Sequence, residues 1–146
     1  MSGFKGSHRS LLDSKGRVAV PVKLRRNTAA GAADRFVITR GLDGCLFLFP
    51  PDYWDQVVAR LETMSFTQSD AKFFTRMLTA YADDVELDAQ SRIRIPQNLV
   101  DKAQLEKEVL FVGALKRIEI WRPDAFAQYE NNYPSTYEEV AEKLFI

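Results

Sequence analysis

The chain contains two copies of one pattern, and this duplication limits its possible folds more than any other feature. Residues 11–25 read LLDSKGRVAVPVKLR, and residues 86–100 read ELDAQSRIRIPQNLV. Both stretches carry a leucine, an aspartate, an arginine, a proline and a second leucine at the same spacing. After a shift of three residues, the similarity continues between residues 39–54 and 111–126. An internal repeat of this kind predicts two structural halves with the same layout.

Each copy predicts short strands around a tight turn. In the first copy, Asp13 can accept a hydrogen bond from the backbone two residues further on. Gly16 suits the left-handed position of a three-residue hairpin loop. We therefore expect two strands paired as a hairpin around this turn, with Pro21 opening a short helix. Further strands are expected at about 35–40 and 45–49, followed by a helix that begins PDYWDQVVARLE.

Residues 63–82 have no counterpart of this length in the second copy, and they predict a helix that joins the two copies. Apolar side chains recur there at helical spacing, namely Phe73, Phe74, Met77, Leu78 and Tyr81. Such a stripe usually packs against a core, and we expect that here. The pattern as a whole predicts a mainly β protein with short helices.

The charge of the chain is unevenly distributed. The formal net charge is zero, but residues 1–42 hold nine Lys/Arg and two acidic residues, a formal charge of +7. The rest of the chain therefore carries −7. Such asymmetry is typical of proteins that bind a polyanion at one end. The alternative is a solvated surface whose charges happen to segregate.

The sequence offers little for catalysis. His8 is the only histidine, so no histidine pair can bind a metal. Cys45, the only cysteine, lies in the apolar run CLFLF and is expected to be buried rather than reactive. A lone cysteine also excludes an internal disulfide and fits a reducing compartment. We found no phosphate-binding loop, secretory signal or apolar membrane span. We expect no enzyme, cofactor or metal site, and a cytoplasmic protein.

The first turn carries the candidate binding residues. Lys15 and Arg17 lie on the turn, where an arginine can form two bonds to guanine or phosphate and a lysine supplies a point charge. Further cations could contact phosphates beside it: Arg9, Lys23, Arg25 and Arg26. Arg17 has a second interpretation, because it lies four residues after Asp13 and could simply pair with it. Arg92 has the same relation to Asp88, and the sequence does not decide between the two interpretations.

Four stretches closely resemble the MraZ family of bacterial transcriptional regulators: LDSKGRVAVPVKLR, TRGLDGCLFLFP, VELDAQSRIRIPQNL and EVLFVGALKRIEIW. The resemblance covers about residues 4–130. It implies two tandem AbrB-like halves that interlock as a swapped-hairpin pseudo-dimer barrel. We place the limits at 7–54 for the first half, 55–82 for a helical connector, 84–127 for the second half and 128–146 for an acidic tail.

The resemblance also implies a function. MraZ-like proteins form ring-shaped homo-oligomers and bind direct repeats in double-stranded DNA upstream of the division and cell wall gene cluster. They repress that cluster, including their own gene, so the resemblance places the chain on the nucleoid. It implies no membrane and no small-molecule substrate.

The D-x-x-x-R turn is the DNA-contact element of the family, and it maps onto Asp13–Arg17 and Asp88–Arg92. Ser91 stands where the family has glycine, and a non-glycine residue in the left-handed region costs roughly 1–2 kcal/mol. Either this turn changes shape or the fold absorbs the strain. Because acidic residues surround the second turn, we expect the first copy to dominate DNA contact, with Arg92 and Arg94 subsidiary or structural.

Two other classes of function stay open on the sequence. A protein- or peptide-interaction module of the same β-hairpin fold would suit the acidic second copy and tail. An enzyme with an unrecognised substrate is the third possibility, and the shortage of acid–base and metal-binding side chains argues against it.

Overall fold

Eight strands and six helices make up the part of the chain that the computed structural model describes, residues 3–25 and 34–145. The strands are β1 (Ser7–Leu11), β2 (Arg17–Ala19), β3 (Arg35–Arg40), β4 (Leu46–Phe49), β5 (Asp83–Glu86), β6 (Arg92–Arg94), β7 (Glu108–Ala114) and β8 (Arg117–Trp121). The helices are α1 (Val22–Arg25), α2 (Pro51–Glu62), α3 (Ser69–Ala80), α4 (Gln97–Lys102), α5 (Pro123–Asn132) and α6 (Tyr137–Phe145). The helix expected after Pro21 is seen as α1, and the part of the prediction from Arg26 onward lies outside the described residues.

The two copies exchange strands. β1 pairs with β7, β3 pairs with β5, and β2 pairs with β6, all antiparallel. One sheet has the order β1-β7-β8-β4-β3-β5, and β2 with β6 forms a separate two-stranded ladder. Each of these three pairs joins one strand from each copy. The halves are therefore interlocked, as the swapped-hairpin expectation requires.

The prediction that the strands on either side of the first turn pair with each other is wrong. The turn itself forms, closed by a backbone hydrogen bond from Asp13 N to Arg17 O at 2.9 Å. However, Leu12 N donates to Lys107 O at 2.8 Å, so β1 continues along the second copy. The exchange is favourable because it sets Val18 opposite Ile93, and both side chains are fully buried.

One hydrophobic core is shared by both copies. Equivalent side chains from the two halves fill it, among them Val18 and Ile93, Leu24 and Leu99, and Leu48 and Ile120. A second cluster lies on the other face of the sheet, where Phe47, Phe49 and Trp121 contact Trp54 of α2 and Phe126 of α5. Strand β4 is buried on both faces because its alternate residues point into the two clusters.

The fold class is confirmed: the chain is mainly antiparallel sheet with short helices, in two tandem halves. Within the described ranges, the strands form an open six-stranded sheet and a two-stranded ladder, and their pairing does not run continuously around a closed barrel. Helices α2 and α3 lie between β4 and β5, in the region expected to connect the halves. The residue limits of the four segments stay predictions.

Helix α3 only partly follows its prediction. Its cap is Gln68, whose side chain accepts a hydrogen bond from Ala71 N at 2.6 Å. Leu78 is buried, as expected for a core stripe. Phe73 and Phe74, however, are 66% and 44% exposed, so the prediction that the whole stripe packs into the core is wrong. The helix touches the sheet through one end of the stripe and leaves apolar surface uncovered.

Candidate nucleic-acid interface

The first turn is organised around the carboxylate of Asp13. Its Oδ1 accepts hydrogen bonds from the backbone N–H groups of Lys15 at 2.9 Å and Arg17 at 2.8 Å. Its Oδ2 accepts from Arg17 Nε at 2.8 Å. Gly16 takes the left-handed conformation, with φ of 81°, as expected. These hydrogen bonds, chiefly that from the Arg17 backbone, lower the pKa of Asp13 to about 2.

The second turn reproduces the first. Asp88 Oδ1 accepts from the backbone N–H groups of Gln90 at 2.8 Å and Arg92 at 3.0 Å, and Oδ2 accepts from Arg92 Nε at 3.0 Å. The hydrogen bond from the Arg92 backbone is the largest cause of a lowered pKa at Asp88. Ser91 has a φ of 62° and keeps the left-handed position. The turn therefore holds its shape and the fold absorbs the strain.

The β2–β6 ladder carries the arginines of both copies on one face. Arg17 is paired with Arg94, and Ala19 is paired with Arg92. Val18 and Ile93 point into the core, so by the alternation of strands their neighbours point outward. Backbone bonds from Val20 N to Ser91 O and from Ile95 N to Gly16 O tie each turn to the opposite strand. We call the outward cations of this ladder and its first turn the arginine face, consisting of Lys15, Arg17, Arg92 and Arg94.

The second copy also contacts the first turn directly. Arg94 Nε donates a hydrogen bond to the backbone carbonyl of Lys15 at 3.2 Å. Arg92 Nη1 lies 3.9 Å from Asp13 Oδ2. The proximity of these two arginines to the first turn could not be found by pattern alone, because it depends on the strand exchange. The one signal in the sequence was the repeat itself.

Both interpretations of Arg17 fit the geometry together. The arginine pairs with Asp13 through Nε, and within the described residues its terminal Nη groups have no protein partner. An arginine fixed in this way still presents a fork of donors outward. Lys15 is exposed, and no carboxylate of the described residues lies within 4 Å of its ammonium group. The arginine face thus offers oriented donors and a net positive charge, which suits an anion.

Comparison with known proteins identifies the family. The family described as "MraZ protein, putative antitoxin-like" matches residues 4–77 and again residues 78–145. The chain belongs to the MraZ family. Transcriptional regulator MraZ of Thermoanaerobacter pseudethanolicus is 42% identical over 139 residues, which cover 95% of this chain and 94% of the relative. The protein of the same name from Pelotomaculum thermopropionicum is 42% identical over 141 residues, covering 97% and 94%. Both relatives are named as transcriptional regulators, which supports a role in transcription regulation.

The other cations predicted for this MraZ-family site are placed differently. Arg9 lies on β1, and its Nη1 forms an ion pair with Glu108 Oε1 at 2.6 Å across the β1–β7 pair. Lys23 lies on α1, which follows β2, and is exposed. Arg25 ends that helix, and Arg26 lies outside the described residues. The structure therefore brings together Lys15, Arg17, Arg92 and Arg94, while Arg9 is held by a carboxylate away from them along β1.

Two further observations concern the described ranges 3–25 and 34–145. No helix there has the length and apolar character needed to cross a membrane. No group of three or more histidine, cysteine, aspartate or glutamate side chains there is arranged to hold a metal ion. Cys45 is buried, and desolvation raises the pKa of its thiol to about 12.

Proposed function

We propose that this chain is a sequence-specific DNA-binding repressor of transcription, and that the arginine face contacts the DNA. One observation carries the proposal: the β2–β6 ladder collects outward cations from both copies on one face, where Arg94 is exposed and Arg17 and Arg92 are partly exposed. The turns that flank this ladder are rigid, since each carboxylate accepts three hydrogen bonds from its own turn. A rigid cationic surface loses little conformational entropy when it binds.

The shape of this surface suits duplex DNA. The major groove admits a two-stranded β-ribbon, and the arginine face lies on such a ribbon. The outward fork of Arg17 has the geometry to bond guanine O6 and N7, or a phosphate. Lys15 and Arg94 supply charge beside it. Because only this face must be basic, a chain of zero net charge can still bind a polyanion.

The proposal extends to the regulated sites. A single face with four cations would bind weakly at physiological salt. A ring-shaped homo-oligomer presents the face repeatedly, and direct repeats in DNA would engage neighbouring subunits together. Linked contacts of this kind raise apparent affinity by about 10²–10⁴ when the geometry matches. We infer that the targets are promoter repeats of the division and cell wall gene cluster, including the gene of this protein, which would place it on the nucleoid.

Salt-titrated binding to the DNA upstream of its own gene tests this proposal, with a scrambled duplex as the sequence control. The variant is Lys15→Ala/Arg17→Ala. The matched control is Lys5→Ala/Arg60→Ala, which removes one exposed lysine and one exposed arginine elsewhere. We expect tight, repeat-dependent binding that weakens with salt, is lost in the first variant and is kept in the second. Phosphate contacts contribute a slope of about −0.9 each to log K against log salt.

Two results would overturn the proposal. Equal and weak binding of both duplexes by wild type and variant would favour an interaction module of the same fold. Loss of binding in both double variants would mean that total charge, rather than the arginine face, governs the interaction.

A further inference from the structure

Helices α2 and α3 enclose an uncovered apolar groove. Its volume is about 670 Å³, and we define this α2–α3 groove by Val58, Leu61, Met64, Phe66, Lys72 and Arg76. Phe66 is 84% exposed and Met64 is 45% exposed. Exposed apolar side chains grouped in a concave surface are typical of a binding site for another apolar surface. The proposed DNA contact uses the arginine face and leaves this groove without a role.

A second uncovered apolar surface lies on α6. This helix has a reciprocal cap, in which Thr136 N donates to Glu139 Oε1 at 3.0 Å and Glu139 N donates to Thr136 Oγ1 at 3.1 Å. Its apolar residues recur at helical spacing, and three of them are almost fully exposed: Tyr137 at 86%, Leu144 at 75% and Phe145 at 88%. The cap fixes a helix of nine residues whose apolar side is open.

The charges that border the two surfaces are complementary. Lys72 and Arg76 line the groove one helical turn apart on α3. Glu138 and Glu142 lie one helical turn apart on α6. Within residues 3–25 and 34–145, none of the four takes part in an ion pair. Because both pairs have the same i, i+4 spacing, a helix seated in the groove could match them one to one.

We propose that the α2–α3 groove of one copy of this chain binds helix α6 of a second copy. The contact is a helix laid into an apolar groove, with Leu144 and Phe145 meeting Phe66 and Met64. Groove and helix are different surfaces, so the contact is head-to-tail and repeats from copy to copy. Such contacts generate rings where the rotation closes. The inference supplies the assembly step of the proposed function, but it stands on surfaces that are separate from the arginine face.

Charge reversal tests the pairing in the absence of DNA. Glu138→Lys/Glu142→Lys and Lys72→Glu/Arg76→Glu should each dissociate the oligomer to monomers, measured by light scattering after size exclusion. Combining all four changes should restore the oligomer. The matched control, Asp101→Lys/Glu130→Lys, makes the same charge change on exposed positions of α4 and α5 and should leave the oligomer intact. A monomeric wild type, dissociation of the control, or oligomers that survive both reversals would overturn the proposal.

Disulfide trapping identifies the partner. Cys45 is buried, so new surface cysteines can be read without interference from it. An equal mixture of Phe66→Cys and Leu144→Cys chains should form a covalent dimer on mild oxidation, and neither variant alone should do so. If the occupant of the groove were the α6 of the same chain, the mixture would stay uncrosslinked and the proposal would fail. Circular dichroism of each variant checks that it is folded.

The DNA-binding proposal and the groove proposal can be tested independently of each other. Lys15→Ala/Arg17→Ala should bind no specific DNA while keeping the mass of the wild-type oligomer. The groove reversals should lose repeat-dependent affinity while keeping weak, salt-sensitive binding to a single site. An intact wild-type oligomer that does not bind DNA would contradict the proposed function but not the groove contact.

Discussion

Arg94 Nε donates a hydrogen bond to the backbone carbonyl of Lys15, so an arginine of the second copy holds the turn of the first. The same strand pairing sets Arg94 directly opposite Arg17. Two residues expected to act as separate contact points are thus parts of one surface. The first turn keeps its shape through bonds from both copies, and the second copy contributes to the site although its own surroundings are acidic.

Arg94 should act chiefly by positioning the first turn. We expect Arg94→Lys to bind promoter DNA more weakly than wild type, although it keeps the charge, because lysine lacks the Nε–H that bonds Lys15 O. The slope of log K against log salt should stay within about one unit of wild type, since no phosphate contact is removed. Salt-titrated fluorescence anisotropy measures both quantities. Full recovery of wild-type affinity in the lysine variant would show that only the charge matters.

Acid should destabilise the turns within a defined range of pH. Hydrogen bonding lowers the pKa of Asp13 to about 2 in the folded protein, below the value of about 3.9 for an unfolded aspartate. The stabilisation from this carboxylate is therefore fully present above about pH 4 and is lost as the pH falls towards 2. We expect the Tm of wild type to decrease over this range, and Asp13→Asn to start lower at pH 7 and to decrease less.

Circular dichroism melts between pH 2 and pH 7 check this prediction. Asp55→Asn, on the exposed surface of α2, serves as the control and should follow the wild-type curve. An Asp13→Asn curve parallel to wild type throughout would contradict the assignment of the acid response to this turn.

Ser91 should be replaceable by glycine with a gain in stability. Its left-handed φ of 62° costs a serine roughly 1–2 kcal/mol, whereas glycine adopts it freely. Glycine makes the unfolded chain more flexible, at a cost of roughly 0.5–1 kcal/mol. The net expectation for Ser91→Gly is an increase of about 0.5–1 kcal/mol in the free energy of unfolding, measured with urea. Ser14→Gly in the first turn, where φ is not positive, should decrease it by about 0.5–1 kcal/mol. A loss of stability at both positions would rule out relief of strain.

The turns and the fold class could be predicted because their causes are local. The left-handed position of Gly16 and the hydrogen bonds around Asp13 depend on residues within one turn. The helix beginning at Pro51 depends on its own spacing of apolar residues and on a proline at its start. Such features are visible in a short window of sequence.

The strand partners could not be predicted from the pattern. Strands pair through backbone hydrogen bonds, which are the same for every residue type, so the sequence of one strand does not specify its partner. A paired hairpin and an exchanged one satisfy the same alternation of Val18 and Val20. The ion pair between Arg9 and Glu108 follows from the register of β1 against β7 and was invisible for the same reason. The exposure of Phe73 and Phe74 likewise depends on how far α3 stands from the sheet, which helical spacing does not give.

The exchange of strands predicts that the two copies unfold as one unit. Val18 and Ile93 are paired across the copies and fully buried, so removing one side chain leaves a cavity that both halves line. We expect Ile93→Ala to lower the free energy of unfolding by about 2–5 kcal/mol.

Tryptophan fluorescence can follow the unfolding of each copy separately, because Trp54 lies on α2 of the first copy and Trp121 lies on β8 of the second. The Trp54→Phe background leaves Trp121 as the fluorescent probe, and the Trp121→Phe background leaves Trp54. Adding Ile93→Ala should lower the urea midpoint by the same amount in both backgrounds. The control Val58→Ala, on the half-exposed surface of α2, should shift the midpoints far less. If the urea midpoint reported by Trp54 did not change with Ile93→Ala, the first copy would be stable without the second. The pairing of β2 with β6 does not allow this.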